Sequence, residues 1–203
     1  VFFYDETYTP LTPEITRITG LTDDILKEFG RSPKLHLEWL DEFTLKHRAE
    51  YIVAHNGNLF DKPLLYAELD RLGLGAASLR NLPWLDTRFD IPFPTEPDSK
   101  RLNHLALDCG FINPFAHRAV FDALTCAKIL SHYDLDTVIA ESKIPMITVR
   151  AVVSFQDKDL AKERRYSWEK LGDKEYKKCW VKNIRANKLD EEIAACKFQV
   201  VQL

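Results

Sequence analysis

The sequence predicts a layered α/β domain followed by a small α+β domain. The short apolar run Tyr51–Ala54 is typical of a strand buried on both faces of a layered core. Amphipathic helical patterns precede and follow this run, over Ser32–Lys46 and from Asp61 onward. After Pro145, short strands alternate with two helices over roughly fifty residues, which is enough for a small domain that folds alone.

We therefore expect two domains, at residues 1–145 and 146–203. The net charge of −3 argues against a strongly basic coat for nucleic acid. Residues 1–150 hold 16 Lys and Arg against 22 Asp and Glu, whereas residues 151–203 hold 12 against 9. This split favours an acidic, metal-using catalytic domain with an accessory domain that attracts phosphate. An ordinary solvated surface is the alternative.

The four cysteines show neither a CxxC pair nor the spacing of zinc ligands, so we expect neither a zinc site nor a disulfide framework. This predicts a reducing compartment, the cytoplasm. No apolar run approaches the length of a membrane span, and the first residues do not show a charged region followed by an apolar one. We therefore expect no membrane association.

The N-terminal third is predicted to open with a strand at 1–4. Glu14–Thr19 forms a helical turn, and Thr22 caps the next helix, which runs through Phe29. The helix over Ser32–Lys46 is the longest of the three. Its inward residues are expected to be Leu35, Trp39, Phe43 and Leu40.

The strand at Tyr51–Ala54 leads directly into candidate site residues. A helix begins at Asp61, since the early Pro63 is tolerated where first-turn N–H groups are unpaired. A carboxylate that follows a buried strand in this way lies where open α/β sheets bind ligands. An ordinary N-cap role is the alternative for Asp61. We expect His55 to be a partly buried histidine whose hydrogen bonds are satisfied.

Further along, Pro83–Thr87 is predicted to be a strand, Ile91–Asp98 an exposed loop and Leu102–Cys109 a helix. His104 lies away from the apolar stripe of that helix and is expected at the surface. For the second domain we expect strands at 149–155, 165–168, 179–184 and 198–201, helices at 158–164 and 189–196, and a polar turn at 171–177.

A second group of candidate site residues surrounds the start of a helix predicted over Arg118–His132. His117 and Asp122 are five residues apart, about 140° around a helix, so they converge only if His117 lies in the entry loop. This is the pattern of a general base beside a metal ligand. A dipole-stabilised aspartate and a solvent-facing histidine are the alternative. The apolar side of the helix is expected to consist of Ala119, Ala123, Cys126, Ala127 and Leu130.

Three segments resemble the DnaQ-like DEDDh exonucleases, the group that includes bacterial proofreading subunits and the TREX nucleases. The second motif of that family resembles His55-Asn56-Gly57-x-x-Phe60-Asp61-x-Pro63-Leu64-Leu65, and the third resembles His117-x-x-x-x-Asp122. The segment that connects its first two motifs is similar to Glu14–Thr22. The resemblance implies an RNase H-like three-layer fold with a mixed sheet, two divalent cations, Mg²⁺ or Mn²⁺, and 3′-to-5′ removal of nucleotides.

By this resemblance, Asp61 and Asp122 are metal ligands and His117 is the general base. Asn56 and Phe60 shape the pocket for the terminal nucleotide, with a core role as the alternative for Phe60. The chemistry agrees, because two metals about 4 Å apart stabilise the attacking and leaving oxygens of a phosphodiester. Carboxylates hold such hard cations, and a neutral histidine can take a proton from the attacking water.

The first motif of the family, Asp-x-Glu-Thr, has no acceptable match before Glu14. In Asp5-Glu6-Thr7 the two acids are adjacent, and adjacent side chains on a strand point to opposite faces. We therefore expect that the sequence lacks roughly 20–40 N-terminal residues, the length of a two-stranded hairpin. If the natural chain begins at Val1, two carboxylates would hold metal poorly and the protein would be a non-catalytic relative.

The C-terminal segment is similar to the small module that follows some exonuclease-X-like enzymes. Its tryptophans, Trp168 and Trp180, alternate with basic residues and could stack on bases. Alternatively, they form the core of a domain too small to spare them. The candidates for electrostatic contact with the substrate are Lys162, Arg164, Arg165, Lys177 and Lys178.

The sequence thus predicts a metal-dependent 3′–5′ exodeoxyribonuclease that releases nucleoside monophosphates. The expected partner is DNA, single-stranded or at its 3′ ends. A catalytically inactive nucleic-acid-binding relative and an RNA exonuclease of the same chemistry are the alternatives, because no feature that reads a 2′-hydroxyl is evident.

Overall fold

The chain forms two compact units, Val1–Ser142 and Lys143–Leu203. The computed structural model describes residues 2–5, 7, 9–170 and 178–203. The division follows Ser142, whereas the sequence places the boundary after residue 145, so Pro145 belongs to the second unit. The predicted polar turn at 171–177 lies outside the described residues.

The first unit contains short strands joined mainly by helices. Its strands are β1 (Phe2–Phe3), β2 (Gly30–Arg31), β3 (Ile52–Ala54) and β4 (Trp84–Asp86). Its helices are α1 (Pro13–Thr19), α2 (Asp23–Phe29), α3 (Pro33–Lys46), α4 (Asp61–Arg71), α5 (Ala77–Asn81), α6 (Leu102–Asp108), α7 (Ala119–Leu130) and α8 (Leu135–Ser142). The predicted cap at Thr22 is confirmed, and Thr12 and Ser32 cap helices as well. Each of the three side chains accepts a hydrogen bond from the backbone N–H three residues ahead.

Both strand pairs of the first unit are parallel. β1 pairs with β2, and β3 pairs with β4 in the register Ile52 to Trp84 and Ala54 to Asp86. Parallel neighbours need a crossover, which α4 and α5 provide between β3 and β4. Antiparallel pairs, which a mixed sheet requires, do not occur among the described residues of this unit. The only antiparallel sheet of the described chain belongs to the second unit.

Two apolar clusters hold the first unit together. Leu37, Leu69 and Leu79 are buried together and join α3, α4 and α5. In the second cluster, residues of the loop after β4 meet α6 and α7, namely Ile91, Leu105, Ala106 and Ile129. The second cluster packs α6 and α7 against each other and against the loop after β4.

The inward face of α3 differs from the predicted one. Leu35, Trp39 and Phe43 are exposed at 65%, 57% and 42%, and Leu40 is only partly buried. Leu37 is buried instead, because it packs against Leu69 and Leu79. Residues two apart lie about 200° apart on a helix, so a face that buries Leu37 must expose Leu35 and Trp39.

The buried face of α7 also differs from the predicted one. Thr125, Cys126 and Ile129 are buried, whereas Ala119, Ala123 and Ala127 are exposed. Thr125 tolerates burial because its hydroxyl donates to the Phe121 carbonyl at 2.7 Å. The helix therefore presents its small residues outward.

The second unit follows the chain order strand, helix, strand, strand, helix, strand. Its strands are β5 (Met146–Val152), β6 (Ser167–Glu169), β7 (Cys179–Arg185) and β8 (Gln199–Gln202), and its helices are α9 (Lys158–Glu163), a 3₁₀ turn (Ala186–Lys188) and α10 (Leu189–Ala195). The sheet order is β6-β7-β5-β8 with every pair antiparallel. This is the split βαβ arrangement, in which two helices pack on a four-stranded sheet.

The core of the second unit contains Val149, Ala151, Ala161, Tyr166 and Ile184. Trp180 packs against this core, but Trp168 is 52% exposed on the edge strand β6. The two rings lie 5.3 Å apart, centre to centre. The core interpretation therefore applies to Trp180 and is wrong for Trp168.

A buried carboxylate lies in the second unit. Glu192 is 6% exposed and accepts hydrogen bonds from Arg164 at 2.6 Å and from Lys182 at 3.0 Å. Burial by itself would raise the pKa of Glu192, but the two cations outweigh it and lower that pKa below its usual value. The three side chains connect the end of α9, strand β7 and helix α10.

No helix in the described part of the chain combines the length and the apolar character that a membrane span requires.

We expect Glu192→Gln to lower the free energy of unfolding by about 1–3 kcal/mol. This is less than the 3–5 kcal/mol typical of a broken buried ion pair, because both cations are partly exposed. The unfolded carboxyl titrates near its ordinary pKa, so the stabilisation is present above about pH 4.5 and is lost as the pH falls through the lowered folded value.

Urea denaturation from pH 7 to pH 3 measures this effect, with Glu191→Gln as the matched control. Glu191 is exposed and pairs with Lys188 at 2.9 Å. Equal effects of the two substitutions would contradict a stabilising role for the Glu192 ion pairs.

Candidate functional site

A cleft of about 1080 Å³ lies beside the carboxyl end of β3 in the first unit. Its walls come from the end of β3, the start of α4, the loop after β4, and the starts of α6 and α7. The polar lining residues are His55, Asn56, Asp61, Arg88, Arg101, Asn103, His104, His117 and Asp122. Ligand sites of parallel α/β sheets lie at this end of the strands.

The three predicted catalytic side chains line this one cleft. Asp61 is the first residue of α4, Asp122 lies in the first turn of α7, and His117 lies in the loop that enters α7. Two helix starts far apart in sequence are therefore brought to one cavity. The sequence predicted that His117 and Asp122 converge only if His117 lies in the loop before the helix, and the structure has this arrangement.

Asn113 holds Asp122 in place. Its Nδ2 donates to Oδ1 of Asp122 at 2.9 Å, and its Oδ1 accepts from the backbone N–H of Phe115 at 3.0 Å. The amide thus connects the loop before His117 to the carboxylate on α7. Sequence reasoning missed Asn113, because no local pattern identifies its partner nine residues ahead.

His117 is exposed, and its backbone adopts a left-handed conformation with φ of 66°. A positive φ is uncommon for a residue other than glycine, and such conformations cluster at functional sites. Its ring makes no hydrogen bond to the described residues. An imidazole in this state can accept a proton from a molecule that enters the cleft.

Asp61 does not cap its helix. Phe60 occupies the N-cap position of α4, and no side chain forms a cap hydrogen bond there. The N-cap interpretation of Asp61 is therefore wrong. Burial raises the pKa of the Asp61 carboxyl, and the charge of Asp86 adds to that rise.

Asp61 and Asp122 provide carboxylate oxygens, which are the protein ligands that a hard divalent cation prefers. They provide only part of a ligand set: the described residues hold no group of three or more His, Cys, Asp or Glu side chains that could bind a metal ion. Asp5 does not line the cleft, because Arg71 holds its carboxylate at 2.6 Å. Its neighbour Glu6 lies outside the described residues.

Asp86, which the sequence analysis did not select, organises the segment that leads to Asp61. Its side chain is fully buried. Oδ1 accepts hydrogen bonds from the backbone N–H groups of Asn56 at 2.8 Å and Arg88 at 3.0 Å, and Oδ2 accepts from that of Asn58 at 3.1 Å. Asn56 has a φ of 65°, so the carboxylate stabilises a turn that the backbone disfavours. The sequence signal that could have identified Asp86 is its position as an aspartate at the end of a buried strand.

His55 is satisfied, as predicted. Its Nδ1 lies 3.0 Å from the hydroxyl of Thr87, and its Nε2 lies 3.0 Å from the carbonyl oxygen of Lys100. Burial lowers the pKa of His55. The ring thereby connects the end of β3 with the end of β4 and with the segment that begins α6.

The predicted substrate-binding residues of the first unit line the cleft. Asn56 Oδ1 accepts a hydrogen bond from Arg88 at 3.3 Å. Phe60 is 64% exposed, so it is not a core residue. His104 is exposed as predicted, but it lines the cleft as well.

The predicted basic residues of the second unit differ in their surroundings. Lys162 pairs with Asp159 at 2.7 Å, and Arg164 pairs with the buried Glu192. Arg165 is exposed with a φ of 62°. Arg164 therefore stabilises its own unit. Lys178 is exposed, and Lys177 lies outside the described residues.

No protein-family model matches the sequence. The chain is 34% identical over 131 residues to a DNA polymerase III PolC-type from Halalkalibacterium halodurans. It resembles part of a DNA polymerase. The match covers 63% of this chain, whereas the chain spans only 8% of the polymerase's length.

We expect Asp86→Asn to lower the free energy of unfolding by about 2–4 kcal/mol, because an amide NH₂ would face a backbone N–H that now meets a carboxylate oxygen. Urea denaturation at pH 7 measures the change. Asp108→Asn, at an exposed carboxylate of α6, is the control and should change it by less than about 0.5 kcal/mol. An Asp86 variant as stable as the control would contradict the organising role.

We expect the first unit to lose stability as the pH falls below about 6.5. His55 has a lowered pKa in the folded protein, so the unfolded chain binds its proton first. Acidification therefore favours unfolding, and the stabilisation returns above pH 6.5. Urea denaturation at pH 5 and pH 8 tests this, with exposed His132 as the control position: His55→Gln should flatten the pH dependence and His132→Gln should not.

Proposed function

We propose that this protein is a metal-dependent 3′–5′ exonuclease that hydrolyses phosphodiester bonds at DNA 3′ ends and releases nucleoside monophosphates. One observation carries the proposal: Asp61, Asp122 and His117 reach a single cleft from two separate helix starts. This placement agrees with the DnaQ-like motifs and with an RNase H-like fold, which we propose for the first unit.

In this proposal His117 takes the proton from the attacking water. Asp61 and Asp122 contribute ligands to two divalent cations, Mg²⁺ or Mn²⁺, and Asn113 keeps Asp122 oriented toward the cleft. Such cations, when bound, neutralise charge on the attacking and leaving oxygens. Other ligands must complete the coordination, since the described acids fill only part of it.

Asn56 and Phe60 are proposed to hold the terminal nucleotide. The exposed ring of Phe60 offers an apolar face to a base, and the side-chain amide of Asn56 offers polar groups to a sugar or phosphate. The Asp86 carboxylate accepts the hydrogen bond of the Asn56 backbone N–H, and Arg88 donates to the Asn56 side-chain oxygen.

DNA is the proposed substrate because the similar protein is a DNA polymerase. The excess of basic residues in the C-terminal segment and the exposed ring of Trp168 support contact with single-stranded nucleic acid by the second unit. The proposed substrate is therefore a single DNA strand or a DNA 3′ end.

A second candidate is a nucleic-acid-binding protein without catalysis. It is favoured by the incomplete metal-binding set among the described residues. The two candidates differ in one measurable respect, because only the nuclease shortens a bound strand.

The test is to incubate the full-length protein with 5′-labelled single-stranded and duplex DNA in Mg²⁺, Mn²⁺ or EDTA. Stepwise shortening from the 3′ end that EDTA abolishes is the expected result. Shortening that survives EDTA would contradict the metal dependence. Binding without shortening in either metal would favour the second candidate.

We expect His117→Ala to lower kcat by about two to four orders of magnitude, the contribution of a general base. Asp122→Asn should abolish metal-dependent cleavage, because a neutral amide holds a hard cation poorly. His132→Ala and Asp136→Asn, at exposed positions that do not line the cleft, are the matched controls. Turnover of the His117 variant equal to that of its control would remove this residue from the mechanism.

A further inference from the structure

The cleft contains two arginines that the motifs do not assign. Arg88 follows β4, and Arg101 immediately precedes α6. Both line the same cavity as Asp61 and Asp122. The cleft therefore combines two acids with two permanent cations, since a guanidinium stays charged at every relevant pH.

Neither arginine is neutralised by an acid among the described residues. Arg88 donates to the neutral amide of Asn56 and lies over the ring of Phe89 at 5.4 Å. By contrast, Arg71 and Arg80 of the same unit form ion pairs with Asp5, Glu68 or Asp70. Unneutralised guanidinium groups in a cleft attract an anionic ligand, and their planar geometry matches phosphate oxygens.

The two arginines are held on defined backbone. The N–H of Arg88 donates to the buried carboxylate of Asp86, which also holds the Asn56 turn. The residue before Arg101 is tied to the end of β3, because its carbonyl oxygen lies 3.0 Å from Nε2 of His55. Partly buried hydrogen bonds thus set the backbone positions of both arginines relative to Asn56.

The cleft is large for a ligand site. Its volume of about 1080 Å³ is above the range of roughly 300–1,000 Å³ that accommodates a drug-sized ligand. A nucleotide at Asn56 and Phe60 leaves room for the chain that continues from it. In a DNA strand, this continuation carries one negatively charged phosphate for each nucleotide.

We propose that Arg88 and Arg101 bind phosphate groups of the strand on the 5′ side of the bond that is cleaved. The inference rests on the proposed function, and it makes the two arginines substrate-positioning residues that recognise the backbone independently of base sequence. The acids and His117 act on the terminal phosphodiester, while the arginines hold the strand on its 5′ side.

The first test is binding without catalysis. Fluorescence anisotropy with a 5′-labelled oligothymidylate of about eight nucleotides in EDTA measures affinity between about 50 and 200 mM salt. Arg88→Gln and Arg101→Gln should each weaken binding roughly three- to tenfold and reduce the slope of log affinity against log salt by about 0.7.

Matched variants separate charge from general damage. Lys46→Gln removes an exposed cation that does not line the cleft and should leave both affinity and slope unchanged. Arg88→Lys and Arg101→Lys should restore the slope but only part of the affinity, because an ammonium does not pair with two phosphate oxygens. A slope equal to that of the wild type in both Gln variants would overturn the inference.

A second measurement separates this inference from the proposed function. The p-nitrophenyl ester of thymidine 5′-monophosphate carries one phosphodiester and no upstream strand. In Mn²⁺, the Gln variants should lose at least about five times more kcat/KM on the oligonucleotide than on the ester. Equal losses on both substrates would overturn the inference, whereas a wild-type protein that cleaves neither substrate but keeps the salt-slope effect would overturn only the exonuclease function.

Discussion

The buried carboxylate of Asp86 binds backbone N–H groups from two loops, one after β3 and one after β4. These hydrogen bonds set the turn at Asn56, and the turn sets where Asp61 begins α4. His55 adds a second connection by linking Thr87 with the Lys100 carbonyl. The cleft therefore depends on polar contacts between the ends of two parallel strands, and the apolar clusters only support the helices around it.

The acidic and the basic side chains of the cleft come from different segments of the chain. Asp61 starts α4 and Asp122 lies in the first turn of α7, whereas Arg88 and Arg101 lie in or next to the segment between β4 and α6. In the proposed function, cations held by the acids would act on the reacting phosphate, and the guanidinium groups would hold the neighbouring phosphates. The second unit uses its charge differently, since Arg164 and Lys182 stabilise the buried Glu192.

Local patterns predicted most of the elements. Capping residues, glycine stops and short apolar runs marked most helices and strands to within a few residues, because these signals act over three or four neighbours. Strand β2 and helix α5 were not predicted. The same patterns could not select the buried faces of α3 and α7. Each helix offers more than one apolar stripe, and only packing against Leu69 and Leu79, or next to Thr87, determines which stripe is buried.

The sequence by itself determined the identity and order of Asp61, His117 and Asp122, because their motifs are local and their spacing constrains a loop followed by a helix. Only the tertiary structure decided that they share one cleft, that Asp86 and Asn113 orient them, and that Arg88, Arg101 and His104 belong to the same walls. The physical reason is distance along the chain: Asp86 binds the N–H of Asn56, 30 positions earlier, and such contacts depend on strand pairing and helix packing that no short segment encodes.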